Sequence, residues 1–600
     1  MLSFGLMYNA NSQTVIGNLK GKDADVTVLN AKISSVSNVT NLKAVITSNI
    51  AYMDGSNWVK RSGSKTNNGG VSSGTIIRVD ATNYWERVLT GNIVTPQMFG
   101  AIENDGLDDT YSFQLSINYL NSIGGGTLNI PSGTFNLLSL TYYEGISFQG
   151  QQGTILKKIV STDKFSRMFT LPANYTLSGE GKTTSFKDIK FDGNRINHGS
   201  YTNFELEHSH MIFTYASNNS AGKFNLVVEN CRFNDIVADG ICAHTNVNLK
   251  VNNCNFENVF RGGTTITGGN SISKISNCDY FGSVHPSCPI IEVDADAPGI
   301  NNSFKVIVTY TNITYKELMN VSFISDSEFY GTNIVCTGQG FNFGGGANSI
   351  GKISNSKLVF GSGDATLNRF YAPNNLSFEN CEIITKKTAS TPNYVHAGIP
   401  IYWNISGFPT VNNQSLKFNN CRFSTMGKQS GDNFWGIYSN DCDISQRVIV
   451  DNCTFDDGFD YAIHQRGGKF YINNCLVKNP AFLYLNYSPS TNSYTSIDGL
   501  KVESPVLKFA NIVTSHPNQV VKIQNTEILP SQSTITTDYG MAGNTQFGGR
   551  KIIGNTNPTG LSGFKGDIYT TTNIQSGMPY TWICTNSGIV GTWVVLSNFI

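Results

Sequence analysis

The sequence predicts an all-β fold, a right-handed single-stranded parallel β-helix. Three observations carry that expectation: a short recurring phrase, its spacing in the low twenties, and corner-forming residues between its copies. The phrase is apolar-x-Asn-Cys-x-apolar, as in Val228-Glu229-Asn230-Cys231-Arg232-Phe233, Val251-Asn252-Asn253-Cys254-Asn255-Phe256 and Ile275-Ser276-Asn277-Cys278. It returns as Phe378-Glu379-Asn380-Cys381, Phe418-Asn419-Asn420-Cys421, Val450-Asp451-Asn452-Cys453 and Ile472-Asn473-Asn474-Cys475. Weaker copies are Ile324-Ser325-Asp326-Ser327-Glu328-Phe329, Ile353-Ser354-Asn355-Ser356 and Ile523-Gln524-Asn525-Thr526. The commonest spacing, in the low twenties, is too short for a two-helix repeat and suits one turn of a strand solenoid. Asn fits its corners because it tolerates left-handed φ and its amide can bond the copies above and below. Gly fits the others, as at Asp239-Gly240, Arg261-Gly262-Gly263 and Gly344-Gly345-Gly346.

Composition narrows the function. In 600 residues, 42 Lys and Arg balance 42 Asp and Glu, and charged residues make up only 14%. A nucleic-acid binder would carry a basic footprint, so nucleic acid is not an expected partner. No apolar run reaches the length of a membrane span, so no membrane insertion is expected. The 12 cysteines include seven at one repeat position, which predicts a stack of reduced, buried side chains rather than disulfides or zinc ligands. Neither a metal nor a cofactor is expected.

Three segments follow. Residues 1–95 are an attachment and neck segment, in which Val26, Leu29, Ile33 and Val36 fit a heptad that then shifts to Val39, Leu42 and Ile46. Residues 96–530 form the β-helix. Its start predicts a capping helix, with Asp108 or Asp109 as N-cap and Phe113, Ile117 and Leu120 as apolar face, closed by Gly124-Gly125-Gly126. Residues 531–600 form a small C-terminal β-module.

The string Phe99-Gly100-Ala101, Asp105-Gly106, Asp108-Asp109-Thr110, Gln114, Gly124-Gly125-Gly126-Thr127-Leu128 and Ile130-Pro131-Ser132-Gly133-Thr134-Phe135 resembles the start of the pectate-lyase-like β-helix of bacteriophage tailspike proteins. The stretch from Asn67-Asn68-Gly69-Gly70 to Tyr84-Trp85-Glu86-Arg87-Val88 resembles the neck before such a domain, and Gly566-Asp567-Ile568-Tyr569 with Gly591-Thr592-Trp593 resembles a module that closes tail fibres. The resemblance implies a homotrimer made in the bacterial cytoplasm and placed on the virion tail. It further implies contact with other tail or baseplate proteins and binding, usually with cleavage, of a bacterial surface polysaccharide.

Glycoside hydrolysis needs two carboxyl groups, one protonated and one ionised. In Ile291-Glu292-Val293-Asp294-Ala295-Asp296 the alternation turns Ile291, Val293 and Ala295 inward and Glu292, Asp294 and Asp296 outward. Mutual repulsion there would help keep one acid protonated. Glu292 and Asp294 are the expected acid–base pair, at a spacing of about 6.5–7 Å that favours inversion. Asp239 joins the catalytic group, and His244, Arg261 and Asp296 are expected to position sugar. A reserve site is Asp456, Asp457, Asp460 and His464, with Tyr402, Trp403, Trp435 and Tyr438 as stacking surfaces for sugar rings. The alternatives are a lyase acting on a uronic acid, with Arg261 on the carboxylate, and a non-catalytic adhesin.

Overall fold

The computed structural model describes residues 34–45, 49–69, 74–198, 206–216, 222–282, 289–294, 305–316, 318–322, 327–337, 340–344, 349–362, 370–371, 375–387, 396–402, 415–428, 433–478, 481–485, 493–503, 508–512, 519–529, 545–547, 551–554, 557–558, 566–571, 579–586 and 592–598. From Gly126 to Gly554 the described strands wind as a coil with three strand-bearing faces, and they pair parallel with their counterparts one coil later. One coil shows the pattern. Phe224–Glu229 lies on the first face, Arg232–Asn234 on the second and Ile241–His244 on the third, and the next coil begins at Val247–Asn252. Val228 pairs with Val251, and Val251 with Ile275.

Equivalent side chains therefore stack at the strand spacing. Phe191, Phe233, Phe256 and Tyr280 form a buried column with successive ring centroids 4.7 Å apart, the separation of neighbouring strands in a sheet. The repeat cysteines do the same. All seven are buried.

The corner between the first and second faces explains the Asn. Asn230, Asn253, Asn277, Asn380, Asn420, Asn452 and Asn474 all have φ between 51° and 55°. Their amides connect coils: Asn253 Nδ2 donates to Asn230 Oδ1 at 2.9 Å, and Asn420 Nδ2 to Asn380 Oδ1 at 2.7 Å. The same corner holds Asp188, Asn312, Asn333 and Gly499, where the phrase is unreadable because Ile189, Ile313, Ile334 and Leu500 replace its cysteine. Asn355 and Asn525 take the corner conformation as expected. Of the weaker copy Ile324–Phe329, Ile324, Ser325 and Asp326 lie outside the described residues. Phe329 pairs with Val308, inside a strand whose own corner residue is Asn333.

Upstream, the helix Thr110–Ser122 buries Phe113, Ile117 and Leu120 in the same core as Leu128 and Phe135 of the first coils. Asp108 accepts the Thr110 amide at 2.8 Å. Asp109, at the N-cap position, instead turns its carboxylate to the amides of Ile102 and Asn136, tying the helix entry to the first coil. Residues 34–87 form a separate five-stranded sheet over their own core of Leu42, Met53, Trp58 and Trp85. A continuous heptad helix is not seen there. Ser34–Ser35 is a strand and the helix is confined to Val39–Ala44, while Val26, Leu29, Ile33 and Ile46 lie outside the described residues. Near the C-terminus Ile568–Thr571, Pro579–Asn586 and Thr592–Asn598 pair antiparallel, with Tyr569, Trp582 and Cys584 buried.

Candidate active site

The candidate groups lie on the third face, on short strands such as Ile241–His244 and Ile291–Asp294. Ile291–Asp294 buries Ile291 and Val293 and leaves Glu292 and Asp294 half-buried on the outside, as the alternation predicts. Registers place two outward rows side by side. One row is Phe213, Cys242, Thr265 and Glu292; the other is Tyr215, His244, Thr267 and Asp294. His244 thus stands two coils below Asp294, beside rather than beneath Glu292. Asp296 lies outside the described residues.

The preceding corner stacks a charge network. His210 Nδ1 lies 3.1 Å from Asp239 Oδ2, and both side chains are buried. Asp239 Oδ1 accepts the Gly262 amide at 2.9 Å and faces Arg261 Nε at 3.5 Å. Gly262 permits that approach. A Cβ there would meet Thr265 Oγ1 at 2.4 Å and the Asp239 carboxylate at 3.3 Å. Arg261 then spans outward, Nη2 to Glu292 Oε2 at 3.3 Å and Nη1 to the Glu207 carbonyl at 3.3 Å.

This network separates the carboxyl groups by charge state. Burial and the nearby Asp239 charge push the Glu292 carboxyl up to about 7, against the pull of Arg261. Asp294 contributes less, so the repulsion along one strand that the sequence suggested is secondary. Burial also works against ionisation of Asp239, but Arg261 and His210 outweigh it and hold that carboxyl below its ordinary value. His210 is pushed down by burial despite Asp239, so at neutral pH its ring is neutral beside that carboxylate. Burial lowers His244 to about 4, with the charges of Arg167 and His210 adding, and its Nδ1 shares a 2.7 Å hydrogen bond with Thr245 Oγ1.

In front of the network lies a groove of about 820 Å³, lined by Arg167, His208, Phe213, Tyr215, His244, Thr267 and Asp294 among others. Asp239 is fully buried at its floor, which makes it a group that sets its neighbours' charge rather than one that meets substrate. His210, Asp239 and Cys242 have potential ligand atoms within 4.8 Å of one another. Arg261 already holds one oxygen of Asp239, and burial pushes the Cys242 thiol up, away from the thiolate a metal needs.

Arg167, Glu207, His208, His210, Phe213 and Tyr215 escaped the sequence reading. The available signal was Glu207-His208-Ser209-His210, two of only 8 histidines within three residues. It lies outside any readable copy of the repeat.

The reserve constellation lies on the same face. Tyr438 pairs with His464 and Trp435 with Tyr461. Here the expected exposed platform is corrected: Trp435 is 8% exposed and His464 4%, with His464 packed on the rings of both Trp435 and Tyr438. Asp456 is buried against Arg422 at 2.7 Å, Asp460 binds the Phe434 amide and Lys428, and Asp457 is exposed. Tyr402 pairs with Asn440 along the backbone; its side chain and Trp403 lie outside the described residues.

No family model matches the chain, and no curated protein matches it. Similar solved structures include a tailspike capsular polysaccharide depolymerase of an Acinetobacter baumannii bacteriophage, at 13% identity over 86% of this chain and 74% of that one, TM-score 0.30. An Azotobacter vinelandii mannuronan C-5 epimerase module is 12% identical over 73% of this chain and 100% of that one, TM-score 0.34. A Thermotoga maritima exopolygalacturonase is 11% identical over 64% and 91%, TM-score 0.34. None of these likenesses bears on which residues act; the site is read from the chain's own registers and distances.

Proposed function

We propose that this protein is a tailspike-type depolymerase that hydrolyses a bacterial capsular or O-antigen polysaccharide in the third-face groove, and that it works as a homotrimer. The observation that carries the reading is a carboxyl held near 7, Glu292, two residues along its strand from a second carboxyl group, Asp294, which lines an open groove. A half-protonated acid beside an ionised base is what glycoside hydrolysis requires.

In this reading Glu292 gives its proton to the glycosidic oxygen as the bond to the anomeric carbon breaks. Asp294 takes a proton from the water that attacks the same carbon from the opposite face. The separation of about 6.5–7 Å leaves room for that water and favours inversion. Arg261 and Asp239 set the charge of Glu292, and neutral His244 offers a hydrogen bond to sugar. The N-terminal 95 residues serve attachment, through other tail proteins.

The test is digestion of purified capsule or O-antigen polymer by the full chain. New reducing ends, a falling polymer size and no ultraviolet absorbance from an unsaturated product support hydrolysis. An absorbing product would make it a lyase, and unchanged polymer that is still bound would make it an adhesin.

A further inference from the structure

Arg167 is the cation in the groove that the acidic groups leave unmatched. Arg261 takes Glu207, Asp239 and Glu292. Arg167 lies with its guanidinium 3.5 Å from the centroid of the Phe213 ring and donates Nε to the His208 carbonyl at 3.4 Å. Among the described residues no carboxylate pairs with it. Its charge is felt along that wall. Burial lowers His208, His210 and His244, and in each the Arg167 charge lowers the ring further.

A half-buried guanidinium facing a low-dielectric cleft is stabilised by an opposite charge far more than an exposed one. With its Cζ over an aromatic ring and its Nε given to a carbonyl, a guanidinium still has its two Nη groups, and that edge matches a carboxylate with two parallel hydrogen bonds. Phe213 stands three register steps from Glu292, about 14 Å at the strand spacing. That distance separates the anion from the bond to be broken.

Resting on the reading of this groove as a polysaccharide site, we propose that Arg167 and Phe213 form a subsite for a carboxylate-bearing sugar unit distant from the point of cleavage. The glycan is therefore acidic, and Arg167 is a specificity-determining residue.

The experiment uses an array of bacterial capsular and O-antigen polysaccharides, each acidic polymer printed beside its carboxyl-reduced form, with the full-length protein as probe. Binding to an acidic polymer is expected to weaken at least tenfold on carboxyl reduction and again at least tenfold in Arg167→Gln, with Arg167→Lys between. Arg167→Gln should bind the acidic and reduced forms alike, because the two changes remove one interaction. An unchanged melting temperature in both variants separates this from misfolding. Binding confined to neutral polymers, Arg167-dependent binding that survives carboxyl reduction, or undiminished binding by Arg167→Gln overturns it. Shortening of a neutral polymer by wild type and Arg167→Gln alike would keep the hydrolase and remove the subsite. Arg167-dependent binding that never shortens an acidic polymer would do the reverse.

Discussion

Two coils of the third face share a layout and differ in outcome. Asp239-Gly240-Ile241-Cys242-Ala243-His244 and Asp460-Tyr461-Ala462-Ile463-His464 each set an aspartate before a strand that carries a histidine. In both, the aspartate accepts a backbone amide from an adjacent coil, Gly262 for Asp239 and Phe434 for Asp460. The neighbours decide the rest. Around Asp239 the adjacent coils bring His210, Arg261 and, through Arg261, Glu292, so charge accumulates at the wall of a groove. Around His464 they bring Trp435 and Tyr438, whose rings cover it. The shared aspartate is turn chemistry in both places. It joins a charge network where a stacked coil adds a half-buried cation, Arg261.

The strongest way to break this contrast is to remove the acid. Glu292→Gln is expected to lower kcat on the host polysaccharide by about 10²–10⁴-fold, while Asp457→Asn, exposed in the other coil, changes it by less than about twofold. A larger loss from Asp457→Asn would exchange the roles of the two coils. Next comes the floor of the network. Asp239→Asn leaves His210 and Arg261 facing each other without the buried anion and should cost about 3–5 kcal/mol of stability, read from denaturant midpoints.

The fold was far more legible than the site. The αL corner between the first and second faces favours Asn, with Asp or Gly in a few coils, so the phrase recurs in the sequence wherever the structure repeats. Copies were missed only where Ile or Leu stood for Cys at the buried position, as at Ile313 and Leu500. The strand with Glu292 and Asp294 was readable because alternation sets its faces. Arg167 and the His208–His210 pair were not, since they reach the groove through corners and connections whose length varies from coil to coil. Trp435 misled because aromatic residues suit a sugar platform and a core equally well, and only register shows what lies over them.

A pH series sharpens the comparison further. The alkaline limb of kcat/KM should fall about tenfold per unit above a pH near 7 as Glu292 loses its proton, and no variant of the second coil should move that limb. Stability carries the same signature. The folded Glu292 carboxyl titrates above its ordinary 4.5, so its contribution is fully present below 4.5 and lost as pH rises through about 7. His244 runs the other way. Its folded value near 4 lies below the ordinary 6.5, so its contribution is present above 6.5 and lost as pH falls through about 4. An alkaline limb that stays near 7 in Glu292→Gln would place the titrating acid elsewhere.

The smallest expected effect is the most direct test of why the coils differ. Asp460→Asn is the same substitution as Asp239→Asn at the same kind of position, and the new amide oxygen can still accept the Phe434 amide. What it loses is the 2.9 Å pair with Lys428, whose side chain is 27% exposed while that of Asp460 is 31% exposed. A pair so open to water contributes about 0–1 kcal/mol, so the variant should melt within a few degrees of wild type and digest polysaccharide unchanged. Asp239 has the same kind of hydrogen bond and no solvent at all, so its larger cost must come from its own buried charge and the Arg261 charge it balances. Equal losses in the two variants would show that the backbone bond alone carries both aspartates, and the network around Asp239 would then be a feature of the corner rather than of the groove.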